Sequence, residues 1–244
     1  MDALMEKMTG GPRIIAVTGH FGSGKTEFCV SLAFALAERA ASDPLAKLQR
    51  EERLALADLD IENPFFRSRE RQDALEAAGV RVYSDPFNGR NGSELQVISA
   101  GIRAPLEDEG CRVLLDCGGD ATGAMILNQF KKYFAQPYQL LCVVNPYRPG
   151  SDTVEKAVEH IRGIERTTGL QVTGLIANGH LIRYTTPDEV LRGWEFAVEV
   201  AAQTGIPALG ACCMESLAEQ VVGRGFDVFP IGMYMRDSYL DKQV

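Results

Sequence analysis

Short runs of apolar residues alternate along this chain with longer amphipathic segments. The runs are rich in Val, Ile and Leu, are bounded by Gly, Asp, Asn or Pro, and mostly lack an apolar–polar alternation. Such runs are typical of strands covered on both faces, as in a parallel sheet. We predict strands at residues 13–18, 54–59, 80–83, 112–115, 139–144, 172–177 and 206–211.

Amphipathic segments between these runs carry apolar residues near helical spacing and predict helices at 26–39, 152–168 and 188–204. Pro187 precedes the last of them and Gly205 follows it, as is common at helix ends. Alternating strands and helices predict βαβ units with right-handed crossovers. We therefore expect a three-layer α/β/α fold with a mostly parallel central sheet. The turn-rich stretch 84–92 is interpreted as a surface loop, so residues 1–244 are expected to form a single domain.

Composition narrows the function classes. The chain has 244 residues, 45% of them hydrophobic, and a net charge of −8. This excludes a disordered chain, and the absence of a basic stripe makes nucleic acid an unexpected partner. No stretch approaches the roughly 18 apolar residues that a membrane helix needs, so no membrane anchor is expected. The six cysteines form no CxxC pair, and no secretory h-region is present. We expect a cytoplasmic protein with reduced thiols.

Residues 19–26, GHFGSGKT, match the pattern G-x-x-x-x-G-K-[ST]. The match follows a predicted strand and opens a predicted helix, which is the context that a phosphate-binding loop requires. Glycines let successive backbone N–H groups curl around an anion, and the helix start adds positive potential. Lys25 is expected to reach the β- and γ-phosphates, and Thr26 to offer its hydroxyl to Mg²⁺.

Carboxylates end two further predicted strands. Asp116 closes the run VLLD before Gly118 and Gly119, which predicts an Mg²⁺ contact through water and a backbone N–H near the γ-phosphate. Asp58 and Asp60 lie two residues apart and are expected to point the same way on an extended chain. We predict that Asp60 orients the attacking water and that Asp58 supports it. The alternatives are plain Asp/Gly turns.

These three elements, in this order, resemble the ParA/MinD-like (CobQ/CobB/MinD/ParA) branch of P-loop NTPases. The resemblance implies ATP and Mg²⁺ as cofactors, and it implies that Asn178 contacts adenine; an Asn-Lys-x-Asp guanine motif is absent. Many such proteins carry a second lysine early in the loop, where this chain has His20. The candidate nucleotide-binding residues are Gly19, His20, Phe21, Gly22, Ser23, Gly24, Lys25, Thr26, Glu27, Gly119 and Asn178. The candidate catalytic residues are Lys25, Asp58, Asp60 and Asp116, and the candidate metal ligands are Thr26 and Asp116.

The resemblance implies a nucleotide-driven switch that hydrolyses ATP to ADP, slowly without a partner. A homodimer and an unknown client protein are the expected partners. One alternative is a phosphoryl-transfer or ligase-type enzyme acting on a small acceptor. A second is a nucleotide-gated metallochaperone using Cys117, Cys212 or Cys213, although adjacent thiols on a strand point apart. The basic segment 67–71 is interpreted as a solvated face rather than a partner site.

Overall fold

The computed structural model describes residues 2–42, 53–60, 71–84 and 100–235. Its strands form one eight-stranded sheet in the order β3-β2-β4-β1-β5-β6-β7-β8, and every described pairing is parallel. The predicted loop 84–92 and the basic segment 67–71 fall outside these residues except for Ser84 and Arg71. The strands are β1 Ile14–Thr18, β2 Arg53–Leu59, β3 Val80–Tyr83, β4 Cys111–Cys117, β5 Tyr138–Val144, β6 Gly174–Ala177, β7 Ala208–Met214 and β8 Val228–Ile231.

Helices connect these strands and cover the sheet. They are α1 Asp2–Gly10, α2 Lys25–Ser42, α3 Gln72–Ala77, α4 Arg103–Glu107, α5 Ala121–Ala124, α6 Val154–Thr168, α7 Pro187–Thr204 and α8 Glu215–Val221. Three 3₁₀ segments, Ala100–Ile102, Met125–Ala135 and Ile182–Tyr184, complete the described structure. None of the described helices is long and apolar enough to cross a membrane.

The two faces of the sheet bury separate hydrophobic cores. Along β1, Ile14 and Ala16 belong to one core, while Ile15 and Val17 belong to the other. Helices α1, α2 and α3 contribute to the core that contains Ile15, and α4 to α8 contribute to its counterpart. All five residues of β1 are buried, as a strand covered on both faces should be. The predicted α/β/α layering is thus confirmed.

The predicted helices are present, and their ends have the expected causes. Thr186 and Glu189 form a capping box at the start of α7, with Pro187 as its first residue. Gly205 ends α7 with φ 77°, and Gly169 ends α6 with φ 66°. The predicted strand 172–177 begins two residues later than expected, at Gly174.

The strand order places a crevice beside β1. The chain moves from β1 across to β2 and β3 on one side of the sheet, and later from β5 to β6, β7 and β8 on the other. Because all strands are parallel, their carboxyl ends meet along one edge. Ligands of such sheets bind at this edge, where the order reverses. The candidate residues lie at this edge: Asp58 and Asp116 near the ends of β2 and β4, and the others in the segments after β1, β2, β4 and β6.

Candidate functional site

The glycine-rich loop between β1 and α2 adopts the backbone that its sequence predicts. Gly19, Gly22 and Gly24 have φ values of 148°, 75° and 90°, a region that favours residues without a Cβ. The Ser23 N–H donates to the His20 carbonyl at 2.9 Å. A Cβ on Gly19 would lie 2.4 Å from the Val143 carbonyl oxygen, so the loop is also pressed against β5. The turn is therefore compact and directly precedes the start of α2.

Lys25, the first residue of α2, forms a buried ion pair. Its Nζ lies 2.7 Å from Oδ2 of Asp60, and the two side chains are only 5% and 4% exposed. Asp60 lies immediately after β2, and β4 separates β2 from β1, so the pair joins the glycine-rich loop to a strand two positions away in the sheet. A buried ion pair is costly to break on one side only. In this structure, Lys25 is thus held at the crevice by a single carboxylate.

Thr26, Asp58 and Asp116 lie next to this pair. Thr26 Oγ1 donates to Asp116 Oδ1 at 3.4 Å, and Asp58 and Asp116 are register partners on β2 and β4. Asp58 Oδ1 accepts the N–H of Asp60 at 3.3 Å. Burial raises the pKa of Asp116 well above its usual range; the charges of Asp58 and Asp60 add to this, and Lys25 opposes it. The site thus concentrates negative charge with one compensating cation.

This group of oxygens fits a divalent cation. Asp116 is fully buried, and within the described part of the chain its Oδ2 has no hydrogen-bond partner. A hydroxyl and a carboxylate, close together and short of positive charge, form the kind of hard-oxygen donor set that Mg²⁺ takes in phosphate sites. Thr26 and Asp116 would hold the ion there, directly or through water. When bound, the ion would neutralise charge on the phosphates and on Asp116.

Gly119 and its neighbour contact the glycine-rich loop. A Cβ on Gly119 would lie 2.7 Å from the Gly19 carbonyl oxygen and 3.1 Å from the Phe21 nitrogen. The Gly118 carbonyl accepts the Thr18 hydroxyl at 3.1 Å. The segment after β4 therefore lies directly against the loop after β1.

His20 and Phe21 take different positions in the loop. The His20 ring packs edge-on against His160 of α6 at 5.3 Å between centroids, so this side chain lies within its own chain. Burial lowers the pKa of His160 to about 4, and the His20 charge acts in the same direction. Phe21 is 67% exposed, the largest fraction among the exposed hydrophobic side chains described.

A cavity of about 230 Å³ opens beside the loop. Asn178, at the end of β6, lines it and donates from Nδ2 to the Ser23 carbonyl at 2.7 Å. Its Oδ1 has no hydrogen-bond partner among the described residues. Much of the remaining lining is apolar or sulfur-bearing and comes from the β6, β7 and β8 side: Ile182, Cys212, Cys213, Met214, Ile231, Met233 and Met235. The cavity has the character of a site for a flat, largely apolar group.

Arg148 and His180 also line this cavity. The sequence predicts Arg148 at the rim of the site, near the small acceptor of the phosphoryl-transfer alternative, without a defined role, and it predicts no role for His180. Arg148, in the loop after β5, donates from Nε to the Gly22 carbonyl at 2.7 Å. Burial lowers the pKa of His180 to about 4, helped by the Arg148 charge, so its ring is neutral near pH 7. The available signal was position alone, because Arg148 follows the carboxyl end of a strand next to β1.

Glu27 ties the start of α2 to the segment that follows β8. Its carboxylate accepts the backbone N–H groups of Tyr234 and Met235, the latter at 3.0 Å. Burial raises the pKa of Glu27 to about 7, although these two hydrogen bonds and the charge of Arg71 lower it. Desolvation therefore outweighs hydrogen bonding at this position. Glu27 is the one carboxylate among the described residues that line the cavity.

Glu27→Gln should flatten the pH dependence of stability. In the folded chain the pKa of Glu27 is about 7 against an ordinary 4.5, so folding favours its protonated form. Its contribution to the free energy of unfolding is then fullest below pH 4.5 and is lost as pH rises toward 7. The melting temperature, measured from pH 5 to pH 8, should fall more for the wild type than for Glu27→Gln. Glu38→Gln, an exposed change on the same helix, should leave the wild-type slope intact.

The cysteines are all free and buried. Cys212 and Cys213 lie in the cores on opposite faces of the sheet, as neighbours on a strand should. Within the described ranges, no group of three or more His, Cys, Asp or Glu side chains is arranged to hold a metal ion. Sulfur at this site therefore contributes to the cavity wall.

Neither a family model nor a curated protein sequence matches this chain. Solved structures do. The signal recognition particle 54 kDa protein from Aeropyrum pernix, in complex with GDP, is 19% identical with a TM-score of 0.52 over 85% of this chain and 45% of that one. The cell division protein FtsY from Thermotoga maritima is 18% identical, with a TM-score of 0.52 over 84% and 62%. Chloroplast FtsY from Physcomitrella patens is 16% identical, with a TM-score of 0.51 over 86% and 65%.

These similarities establish the class of fold. The chain has an α/β P-loop NTPase fold, with a single parallel sheet between helices. It spans less than two thirds of the length of each of these three structures, from 45% to 65%. At identities below 20% the likeness extends to the fold, and the chemistry has to be argued from the residues of this chain.

Proposed function

We propose that this chain is a Mg²⁺-dependent P-loop ATPase of the ParA/MinD-like branch, acting as a single nucleotide-binding domain that switches state on hydrolysis. One observation carries the proposal. A glycine-rich loop with left-handed glycines leads into Lys25 and Thr26, and these two residues contact carboxylates at the carboxyl ends of β2 and β4. The motif order of the sequence supports the ParA/MinD-like assignment.

The proposed roles follow from charge and position. Backbone N–H groups from Gly22 to Thr26 and the Lys25 ammonium would bind the phosphates. Lys25 would exchange its contact with Asp60 for the phosphates, leaving the Asp60 carboxylate to accept a hydrogen bond from a water molecule and so orient it for in-line attack. Gly119, already against the loop, would contact the terminal phosphate. Catalysis of this kind depends on positioning and charge neutralisation.

We propose adenine as the base, because of the state of Asn178. One of its amide hydrogens is committed to the Ser23 carbonyl, which leaves one N–H and the Oδ1 acceptor for a ligand. An asparagine amide can pair with N7 and the 6-amino group of adenine at once, whereas the 6-oxygen of guanine would face Oδ1. Glu27, the described carboxylate in the cavity, already accepts two backbone N–H groups. The competing proposal is a guanine nucleotide, which the GDP complex of a similar structure favours.

Calorimetry with ATP, ITP and GTP in the presence of Mg²⁺ separates these proposals. If Asn178 selects the 6-amino group, ATP should bind at least about tenfold more tightly than ITP and GTP, which should be alike. If Glu27 instead contacts the N1–H and 2-amino group of guanine, GTP should bind more tightly than ITP. Absence of binding by all three nucleotides would contradict the proposed function itself.

Two further proposals concern partners. A nucleotide switch of this class would form a homodimer and act on a client protein. Light scattering in the ATP and ADP states would detect the homodimer. Because His20 packs on His160 of its own chain, dimerisation would not use this side chain as a cation for a partner's phosphates. A small acceptor that stimulates ADP release would instead favour the phosphoryl-transfer alternative.

A further inference from the structure

Arg148 occupies the junction between the two halves of the candidate site. Its Nε donates to the Gly22 carbonyl at 2.7 Å, and its side chain also lines the cavity beyond the loop. A Cβ on Gly22 would lie 3.3 Å from Arg148 Cδ, so the stem of the arginine runs closely along the outside of the loop. The guanidinium group is thereby fixed where the glycine-rich loop borders the cavity.

The guanidinium group lies over the His180 ring. Its Nη2 is 3.4 Å from both ring nitrogens of His180, and equal distances to the two place it above the ring rather than beside one nitrogen. The neutral ring offers a π-face, on which arginine packs well. His180 is itself held against the loop, since a Cβ on Gly24 would lie 3.3 Å from His180 Nε2. The guanidinium group of Arg148 thus packs against the His180 ring on one of its sides.

Arg148 lacks the usual compensation for a partly buried charge. It is half-buried, and none of the ion pairs found among the described residues involves it. Glu27 is the one described carboxylate that lines the cavity, and its hydrogen bonds come from backbone N–H groups of the segment after β8 rather than from Arg148. A desolvated guanidinium without a counter-ion gains most from a flat, electron-rich partner or an anion.

We propose that Arg148 is a specificity-determining residue of the nucleotide site, stacking on the nucleobase in a layered arrangement of His180 ring, guanidinium plane and base. The inference rests on the proposed function and adds a contact from the loop after β5 that the glycine-rich motif does not contain. The cavity supports the base rather than the phosphates as the partner, because its walls are largely apolar and sulfur-bearing. The hydrogen bond from Arg148 to the Gly22 carbonyl orients the guanidinium plane.

Affinities for Mg²⁺-ATP and Mg²⁺-CTP of four versions of this chain test this inference. They are the wild type, Arg148→Ala, Arg148→Lys and the control Arg166→Ala, an exposed change on α6. We expect Arg148→Ala to bind ATP at least about tenfold more weakly, with a smaller loss for CTP, because stacking increases with the area of the base. Arg148→Lys keeps a cation and a donor for the Gly22 carbonyl but has no plane, so it should not restore ATP binding.

The outcomes are distinguishable. If Arg148→Lys binds ATP like the wild type, Arg148 supplies only charge or a tether for the loop, and the stacking role is wrong. Equal losses for ATP and CTP would indicate a phosphate contact and would also overturn it, as would unchanged binding by Arg148→Ala. If the wild type binds ATP and CTP with equal affinity, stacking does not select the base. If it binds neither ATP nor CTP, the proposed adenine site fails and this inference fails with it, while GTP binding decides whether the proposed function itself fails.

Discussion

Lys25→Met is expected to abolish nucleotide hydrolysis and to destabilise the nucleotide-free chain. The change keeps the apolar stem of the side chain but removes the ammonium that lies 2.7 Å from Asp60. A charged donor to phosphate contributes about 1.5–3 kcal/mol, so nucleotide affinity should fall by at least about tenfold. Loss of charge stabilisation on the reacting phosphates should lower turnover by about 100-fold or more. The Asp60 carboxylate, buried without its cation, should cost on the order of 3 kcal/mol of stability.

The double variant Lys25→Met/Asp60→Asn separates the two effects. With both charges gone, the Asp60 side chain is no longer a buried ion without its partner, so the melting temperature should recover part of the loss while nucleotide binding stays weak. Asp116 still lacks the favourable Lys25 charge, so the recovery should be incomplete. Calorimetry for binding, phosphate release for turnover and thermal denaturation for stability are the measurements. A double variant that regained hydrolysis would show that neither Lys25 nor Asp60 acts on the phosphates.

Asp116→Asn is expected to raise the stability of the chain while lowering its activity, whereas Lys25→Met lowers both. Burial and the charges of Asp58 and Asp60 raise the pKa of Asp116, so the ionised form is disfavoured in the folded chain. Asparagine preserves the shape and an acceptor for the Thr26 hydroxyl. The variant should therefore melt above the wild type at pH 8, and the difference should shrink toward acid pH, where Asp116 is already protonated.

The same variant should lose its response to Mg²⁺. Removing a carboxylate that holds or orients a metal ion or its water costs about 10–100-fold in metal affinity or activity, so Mg²⁺ titrations of turnover should shift by that amount. Asp120→Asn is the matched control, because Asp120 caps α5 by accepting the Gly123 N–H at 2.7 Å and asparagine also caps helices well. If Asp120→Asn matched the loss caused by Asp116→Asn, Asp116 would have no special role at the metal.

Strong periodic patterns predicted most of the fold, and the weaker ones did not. The run at 139–144 and the caps of α7 were predictable because apolar strands and Pro/Gly helix ends leave local signals. Strand β8, Val228–Ile231, was missed since it is short and contains Pro230, which weakens a strand prediction. Helix α1 was missed too, although Leu4 and Met8 lie four residues apart and are fully buried.

The site divides in the same way. Lys25, Thr26 and Asp116 were predictable because a phosphate loop and a strand-ending carboxylate have fixed local spacing. The contacts of Arg148 and His180 with Gly22 and Gly24 were not predictable, because they depend on how the loops after β5 and β6 pack together. Asp60 was expected to lie near phosphate, but its ion pair with Lys25 depends on the placement of β2 relative to β1.

The long sequence separations inside the site have a consequence for how the chain is made. Thr26 meets Asp116 across 90 residues, and Asn178 meets Ser23 across 155. During synthesis the glycine-rich loop is made before β4 and β6, so its contacts with Asp116 and Asn178 can form only after those strands have been made. A nascent chain that ends before β6 would carry the complete GKT motif without the Asn178 contact. If the chain binds a nucleotide as proposed, we expect full affinity only after the parallel sheet has been assembled as far as β6.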